Sequence, residues 1–233
     1  MAAALAAWVP VSTSRPTPAE FAAVYREALE GGADGVVSLH LSRELSGTWD
    51  SARLAAAEVG AGSIRVVDSR SAAMGLGFAV LAAAEAAAKG GSREEVYAAA
   101  VGTAERTTTL FYVDTLEHLR RGGRIGAAQA LLGTALSVKP ILHVREGRIV
   151  PLEKVRTVSK GIARLEALAV AAAGEGPADV AVHHLAAAER AALLAERLRS
   201  RLPQVKQFYA SEVGAVVGAH VGPGVLGVVV VRR

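Results

Sequence analysis

The chain has 233 residues, 52% hydrophobic and only 4% aromatic, so it can bury a sizeable core of Ala, Val and Leu as one large domain or two smaller ones. It has no cysteine, which excludes disulfides, thiolate catalysis and Cys-ligated zinc and suits a cytoplasmic protein. The net charge of +4 is modest, with acids spread throughout; without a dense basic stripe interleaved with aromatics, no nucleic-acid partner is expected.

The N-terminal stretch "MAAALAAWVPVS" is apolar but has no basic leader, so it does not read as a signal peptide. "TPAEFAAVYREALEGG" (17–32) is a helix, with Thr17 and Glu20 as a capping box, Pro18 at the first helical position and two glycines as the stop. "GVVSLHL" (35–41) is a buried strand, and residues 48–59 form a helix. A strand at 63–69 runs into the loop "SRSAAMG", and helices follow at 74–89 and 92–106, the latter opened by a Ser92/Glu95 capping box. "TTLFYV" (108–113) is a further strand. This alternation implies a parallel sheet with helices on both faces, in which ligands bind at the carboxyl ends of the strands. Both the "LSGT" corner at 45–48 and the "DSRSAAMG" loop lie at such ends.

After Val113 the pattern changes. A short helix is expected in "DTLEHLRRGGRIG" and a second in "AAQALLGTAL", then an antiparallel hairpin at 138–155 turning at Arg145-Glu146-Gly147. Helix 159–173, strand "DVAVHHL", helix 186–201, strand "VKQFYA" and a terminal strand "GVLGVVVV" complete the chain. The expected organisation is α/β: a parallel-sheet domain at 1–113, then a smaller α+β domain at 114–233. No run of about 20 apolar residues is free of charges and glycine, so no spanning helix is expected.

The corner "ELSGT" carries more polar groups than a helix start needs. A helix N-terminus leaves four unpaired N–H groups and about half a positive charge. Gly47 admits a close approach to the backbone, and Ser46 and Thr48 add hydroxyl donors, which together make an anion site. The plain alternative is that Ser46 or Thr48 is only the N-cap. Upstream, Thr13 and Ser14 stand at another helix entrance crowded with hydroxyls, which by itself reads as an ordinary turn. His220 lies among glycines in "GAHVGPG", read as a loop that lets the ring face a cavity; a lone histidine is more often structural. His183 and His184 are adjacent in a strand and so face opposite ways, which argues against a metal site.

Six segments occur in order: "TSRPTPAEF", "LSRELSGTWDSA", "VVDSRSAAMGLG", "TLEHLRRGGRIGAAQALLGTALSVKPIL", "KVRT" and "GAHVGPGVLGVVVV". In these the chain resembles the DegV family of bacterial fatty-acid-binding proteins, over a stretch from about Val9 to the end. The resemblance implies a two-domain α/β protein that is not an enzyme and needs no cofactor. Its ligand is a long-chain fatty acid such as palmitate, buried between or beneath the domains. The acid's carboxylate is held at the hydroxyl motifs and the "GAH" histidine: here Thr13, Ser14, Ser46, Gly47, Thr48 and His220. It also implies presentation of the acyl group to a separate fatty-acid kinase, in phospholipid metabolism, with docking through Arg120, Arg121, Arg124 and Arg156 and no more than transient contact with a membrane surface. For Arg120 and Arg121 a simpler role is available, as cations stabilising a helix C-terminus. Family members begin with a strand and an Asp-Ser motif well before "TS", whereas this chain starts almost at "TS"; either the start is truncated, which is the expectation, or the first strand has been lost, which would expose two sheet edges.

Two other readings of the same residues stand beside this one. Ser46 at a strand-to-helix turn and His220 later in the chain follow the order of a serine acyl-hydrolase, although Glu44 and Thr48 occupy the places where a nucleophile elbow needs glycine. The helix-start anion sites would also suit a small phosphorylated metabolite.

Overall fold

The computed structural model describes residues 2–7, 9–131 and 139–233. The chain forms two compact units, one of Ser14–Arg106 with Glu146–Arg148, the other of Met1–Thr13, Thr107–Arg145 and Ile149–Arg233.

The first of these holds helices α2 (Pro18–Glu30), α3 (Thr48–Val59), α4 (Met74–Ala88) and α5 (Arg93–Glu105), and strands β1 (Val36–His40) and β2 (Ile64–Asp68). The helix starts at 18 and 93 follow the sequence signals: Thr17 and Ser92 each accept from the backbone N–H three residues on, and Glu20 and Glu95 reach back to complete the boxes. β1 and β2 pair in parallel, Val36 opposite Ile64 and His40 opposite Asp68, with α3 as the crossover that a parallel pair needs. Alternation along the strands then covers both faces. Val36 and Val66 pack with Ala22, Tyr25, Ala52 and Ala55 of α2 and α3, while Val37, Leu39 and Val67 pack with Ala83, Val96 and Ala100 of α4 and α5. Helices on both faces of a parallel sheet are as the alternation implied, but the sheet has two strands.

The strand expected to be its third, β3 (Thr107–Tyr112), lies in the other unit's six-stranded sheet, of order β5-β4-β3-β8-β6-β7. The remaining strands there are β4 (Lys139–Arg145), β5 (Arg148–Val155), β6 (Ala178–His184), β7 (Val205–Glu212) and β8 (Leu226–Arg232). β3 is antiparallel to β4 and to β8, and β6 is antiparallel to β8 but parallel to β7. The division therefore falls at Arg106/Thr107 and not after Val113, because the hydrogen bonds of β3 go to the C-terminal strands. With β3 and the N-terminal residues added, the six-stranded unit is the larger of the two, reversing the expected sizes. β8 lies inside the sheet, flanked by β3 and β6, and its run Val228–Val231 is buried. That explains an unbroken apolar run where a half-exposed strand would alternate. Helices α7 (Val158–Ala173) and α8 (Ala188–Arg201) contribute Leu165, Ala169, Leu194 and Leu198 to the core against Val180, Val182, Val228 and Val230.

Smaller elements complete this unit: α1 (Ala2–Ala6), α6 (Glu117–Arg121), a 3₁₀ helix (Gly126–Leu131) and α9 (Ala215–Val221). The second helix expected in "AAQALLGTAL" is a 3₁₀ segment as far as Leu131, and the rest lies outside the described residues. His220 is in the last turn of α9 and not in a loop; Gly214 begins that helix and Gly222, at φ 77°, ends it. The hairpin turn uses Glu146 and Gly147, both at positive φ, as a type I′ turn requires. Among the described residues no helix is long and apolar enough to cross a membrane.

Candidate functional site

In the six-stranded unit, Thr13 Oγ1 and His220 Nε2 are 3.0 Å apart, 207 residues distant in sequence. Burial lowers the His220 pKa, and the Arg124 guanidinium pushes it the same way, so the ring is neutral near pH 7. Its Nδ1 is buried and has no hydrogen-bond partner among the described residues. With the proton on Nε2, the ring donates it to Thr13 Oγ1 and leaves Nδ1 an unpaired acceptor in place of an unpaired donor. The Thr13 hydroxyl then keeps its own proton to donate outward, so a neutral imidazole and a hydroxyl make a short relay that ends in one directed donor.

The other expected residues are in the unit of Ser14–Arg106. The N-cap of α3 is Gly47, without a side-chain cap, so neither flanking hydroxyl takes the role of N-cap residue. Ser46 Oγ and Thr48 Oγ1 bond to each other at 2.8 Å, and Ser46 Oγ accepts the Thr48 N–H at 3.3 Å. Ser14 is exposed. The loops after the two parallel strands adjoin, through Ser42 N–H to the Ser71 carbonyl at 2.8 Å, which joins the corner to "DSRSAAMG". Beside them a polar cleft of about 680 Å³ is lined by Arg43, Glu44, Asp68, Arg70, Glu146 and Arg148. Three guanidiniums there face three carboxylates, which leaves no net charge to attract an anion.

One residue missed by the sequence reading is Arg15. A Cβ at Gly47 would meet its guanidinium, which lies on this bare Cα at the start of α3. The signal was present in "TSRP", one residue past the pair singled out. Gly122 is the other, and only tertiary contact reveals it: a Cβ there would sit 2.2 Å from His220 Nδ1.

The arginines expected at a partner surface have different settings. Arg120 binds Glu117 through two hydrogen bonds of 2.7 and 2.5 Å, and Arg121 adds a third at 2.8 Å. These contacts hold the Glu117 carboxyl down at about 2. Arg124 donates to the Gly122 carbonyl at 2.7 Å. Arg156 is exposed just before α7. Among the described residues no three His, Asp or Glu side chains gather as a metal site; His183 Nδ1 lies 3.2 Å from Ser211 Oγ instead.

A family model described as "Uncharacterised protein, DegV family" matches residues 4–233. A DegV domain-containing protein of Streptomyces coelicolor is 61% identical over 96% of this chain and 79% of its own length. The structure of a DegV family protein from Thermus thermophilus, described for its fatty-acid binding, superposes with a TM-score of 0.90 at 39% identity, over 95% of this chain and 79% of that one. DegV of Bacillus subtilis, described as a fatty-acid-binding protein, superposes with a TM-score of 0.85 at 40% identity and the same coverage. With a matched segment reaching from residue 4 to the final arginine, and relatives alike in both sequence and fold, the chain belongs to the DegV family.

Proposed function

We propose that this protein binds a long-chain fatty acid and presents it, without itself catalysing a reaction, to a fatty-acid kinase that phosphorylates the carboxylate. The observation that carries the binding reading is the Thr13–His220 pair, in a chain whose solved neighbours are described as fatty-acid-binding proteins. A tail of about sixteen carbons gains on the order of 10 kcal/mol gross on burial, at about 0.8 kcal/mol per methylene. Ordering the flexible chain takes back a large part. A bare carboxylate cannot follow the tail into apolar surroundings, since an unpaired buried charge costs several kcal/mol or more. Hydroxyl and amide donors remove that obstacle; the resemblance offers Thr13, backed by His220, in one unit and Ser14, Ser46, Thr48 and the backbone at Gly47 in the other. The Ser46 and His220 contacts favour a binder over a hydrolase, for Ser46 Oγ bonds to a hydroxyl and His220 Nε2 to Thr13.

Protein purified from cells and extracted for mass spectrometry is expected to carry acyl chains. Ser46→Ala combined with His220→Ala should lower palmitate affinity by about tenfold or more, the loss of about one charge-assisted hydrogen bond. A lipid-free preparation that ignores added palmitate would overturn the reading, and labelling of Ser46 by a fluorophosphonate would favour the hydrolase.

A further inference from the structure

Resting on the carboxylate-binding reading, we propose that Gly122 is a positioning residue for His220, one half of a reciprocal glycine–histidine latch between α6 and α9 that aims Nε2 at Thr13. Each of these short helices carries a histidine in its last turn and is capped by a glycine, His118 and Gly122 in α6, His220 and Gly222 in α9. Each glycine receives the other helix's imidazole. A Cβ at Gly122 would lie 2.2 Å from His220 Nδ1, and a Cβ at Gly222 would lie 2.1 Å from His118 Cδ2. Real side chains do not approach so closely, so each ring lies over a bare Cα. His118 is buried, which gives the contact a fixed side.

The two glycines differ in a way that makes one of them a clean probe. Gly222 is at φ 77°, so any side chain there also strains the backbone. Gly122 is at φ −74° and ψ −6°, a conformation open to every residue. Its missing side chain is therefore chiefly a matter of space for His220, with the His118 carbonyl oxygen a lesser neighbour at 3.2 Å from such a Cβ. With Nδ1 held against Gly122 and denied a partner, Nε2 is the only ring nitrogen left to serve the hydroxyl of Thr13. Arg124 fastens the same turn by donating to the Gly122 carbonyl. The latch thus ties the head-group histidine to the arginine-bearing turn proposed to meet the kinase.

The test is Gly122→Ala in the full chain, made alone and in a His220→Ala background. Long-range ¹⁵N–¹H spectra of the wild type are expected to show the Nε2–H tautomer at His220, and Gly122→Ala should abolish that signature and weaken palmitate binding about tenfold. In the His220→Ala background the same substitution should change neither palmitate affinity nor Tm, because its steric partner is gone. An unchanged His220 signature in Gly122→Ala, or an equal loss of Tm in both backgrounds, overturns the proposal. If Gly122→Ala fails to fold and the double variant folds, the latch is supported; if neither folds, it is overturned. Should the wild type hold no palmitate, the carboxylate reading fails while the spectra and the Tm comparison still decide the latch.

Discussion

At His220, burial and the nearby Arg124 act together, and the result is a donor without a charge. That suits the proposed ligand, whose carboxylate a partner kinase would phosphorylate. A buried imidazolium would hold the acid as a tight ion pair, whereas a hydroxyl relay positions it and leaves its oxygens nucleophilic. The arginines divide by what they already hold. Arg120 and Arg121 clasp Glu117, and Arg124 supports Gly122, so replacing any of these disturbs local structure as well as the surface. Arg156 is the cleaner probe of docking. Arg156→Glu should weaken association with a fatty-acid kinase about tenfold, as reversal of one interfacial charge does, and leave palmitate affinity unchanged. A parallel loss of both in the binding titrations would place Arg156 in the ligand site instead.

At the scale of elements, the helix starts separate into two kinds. α2, α5 and α7 open on Thr17, Ser92 and Thr157, each accepting from the backbone N–H three residues on. α3 opens on Gly47 without a side-chain cap. Thr17→Ala and Ser92→Ala should each lower unfolding free energy by about 1 kcal/mol in urea titrations. Ser46→Ala loses the acceptor of the Thr48 N–H and the bond to Thr48 Oγ1, so it should cost about 0.5–1 kcal/mol of stability; its larger effect should appear in palmitate binding. A loss of stability with palmitate affinity unchanged would mean that the hydroxyl serves the helix and not a ligand. The capping boxes were legible in the sequence because they act over three residues. The setting of His220 was not: "GAHVGPG", with glycines at 218, 222 and 224, read as a loop, whereas Gly218 to Val221 are the end of a short helix that Gly222 stops. Strand β3 was legible as a strand, yet an apolar run of that length says nothing about whether its partners are parallel or antiparallel.

For the whole molecule, histidine burial sets the response to acid. Burial lowers the pKa of His40, His118, His143, His183 and His220 below the ordinary 6.5. Below that value the unfolded chain takes up protons that the folded chain refuses, so stability falls as pH falls. The urea midpoint should be nearly flat from about pH 8 to 7 and then drop between about pH 6 and 5. A midpoint that rises on acidification would show that these rings gain charge on folding.

By itself the sequence determined the α/β alternation, the capped helix starts, the buried valine run of the last strand and, through six ordered segments, the family. These signals are local: periodicity and caps act within a few residues of chain, and motifs are read in place. Only the tertiary structure decided that β3 pairs with β4 and β8, that Arg15 lies on Gly47, and that Thr13 meets His220 across a ring seated on Gly122. Those outcomes depend on which distant surfaces exclude water together, and pairing over some two hundred residues leaves no period in the sequence to betray it.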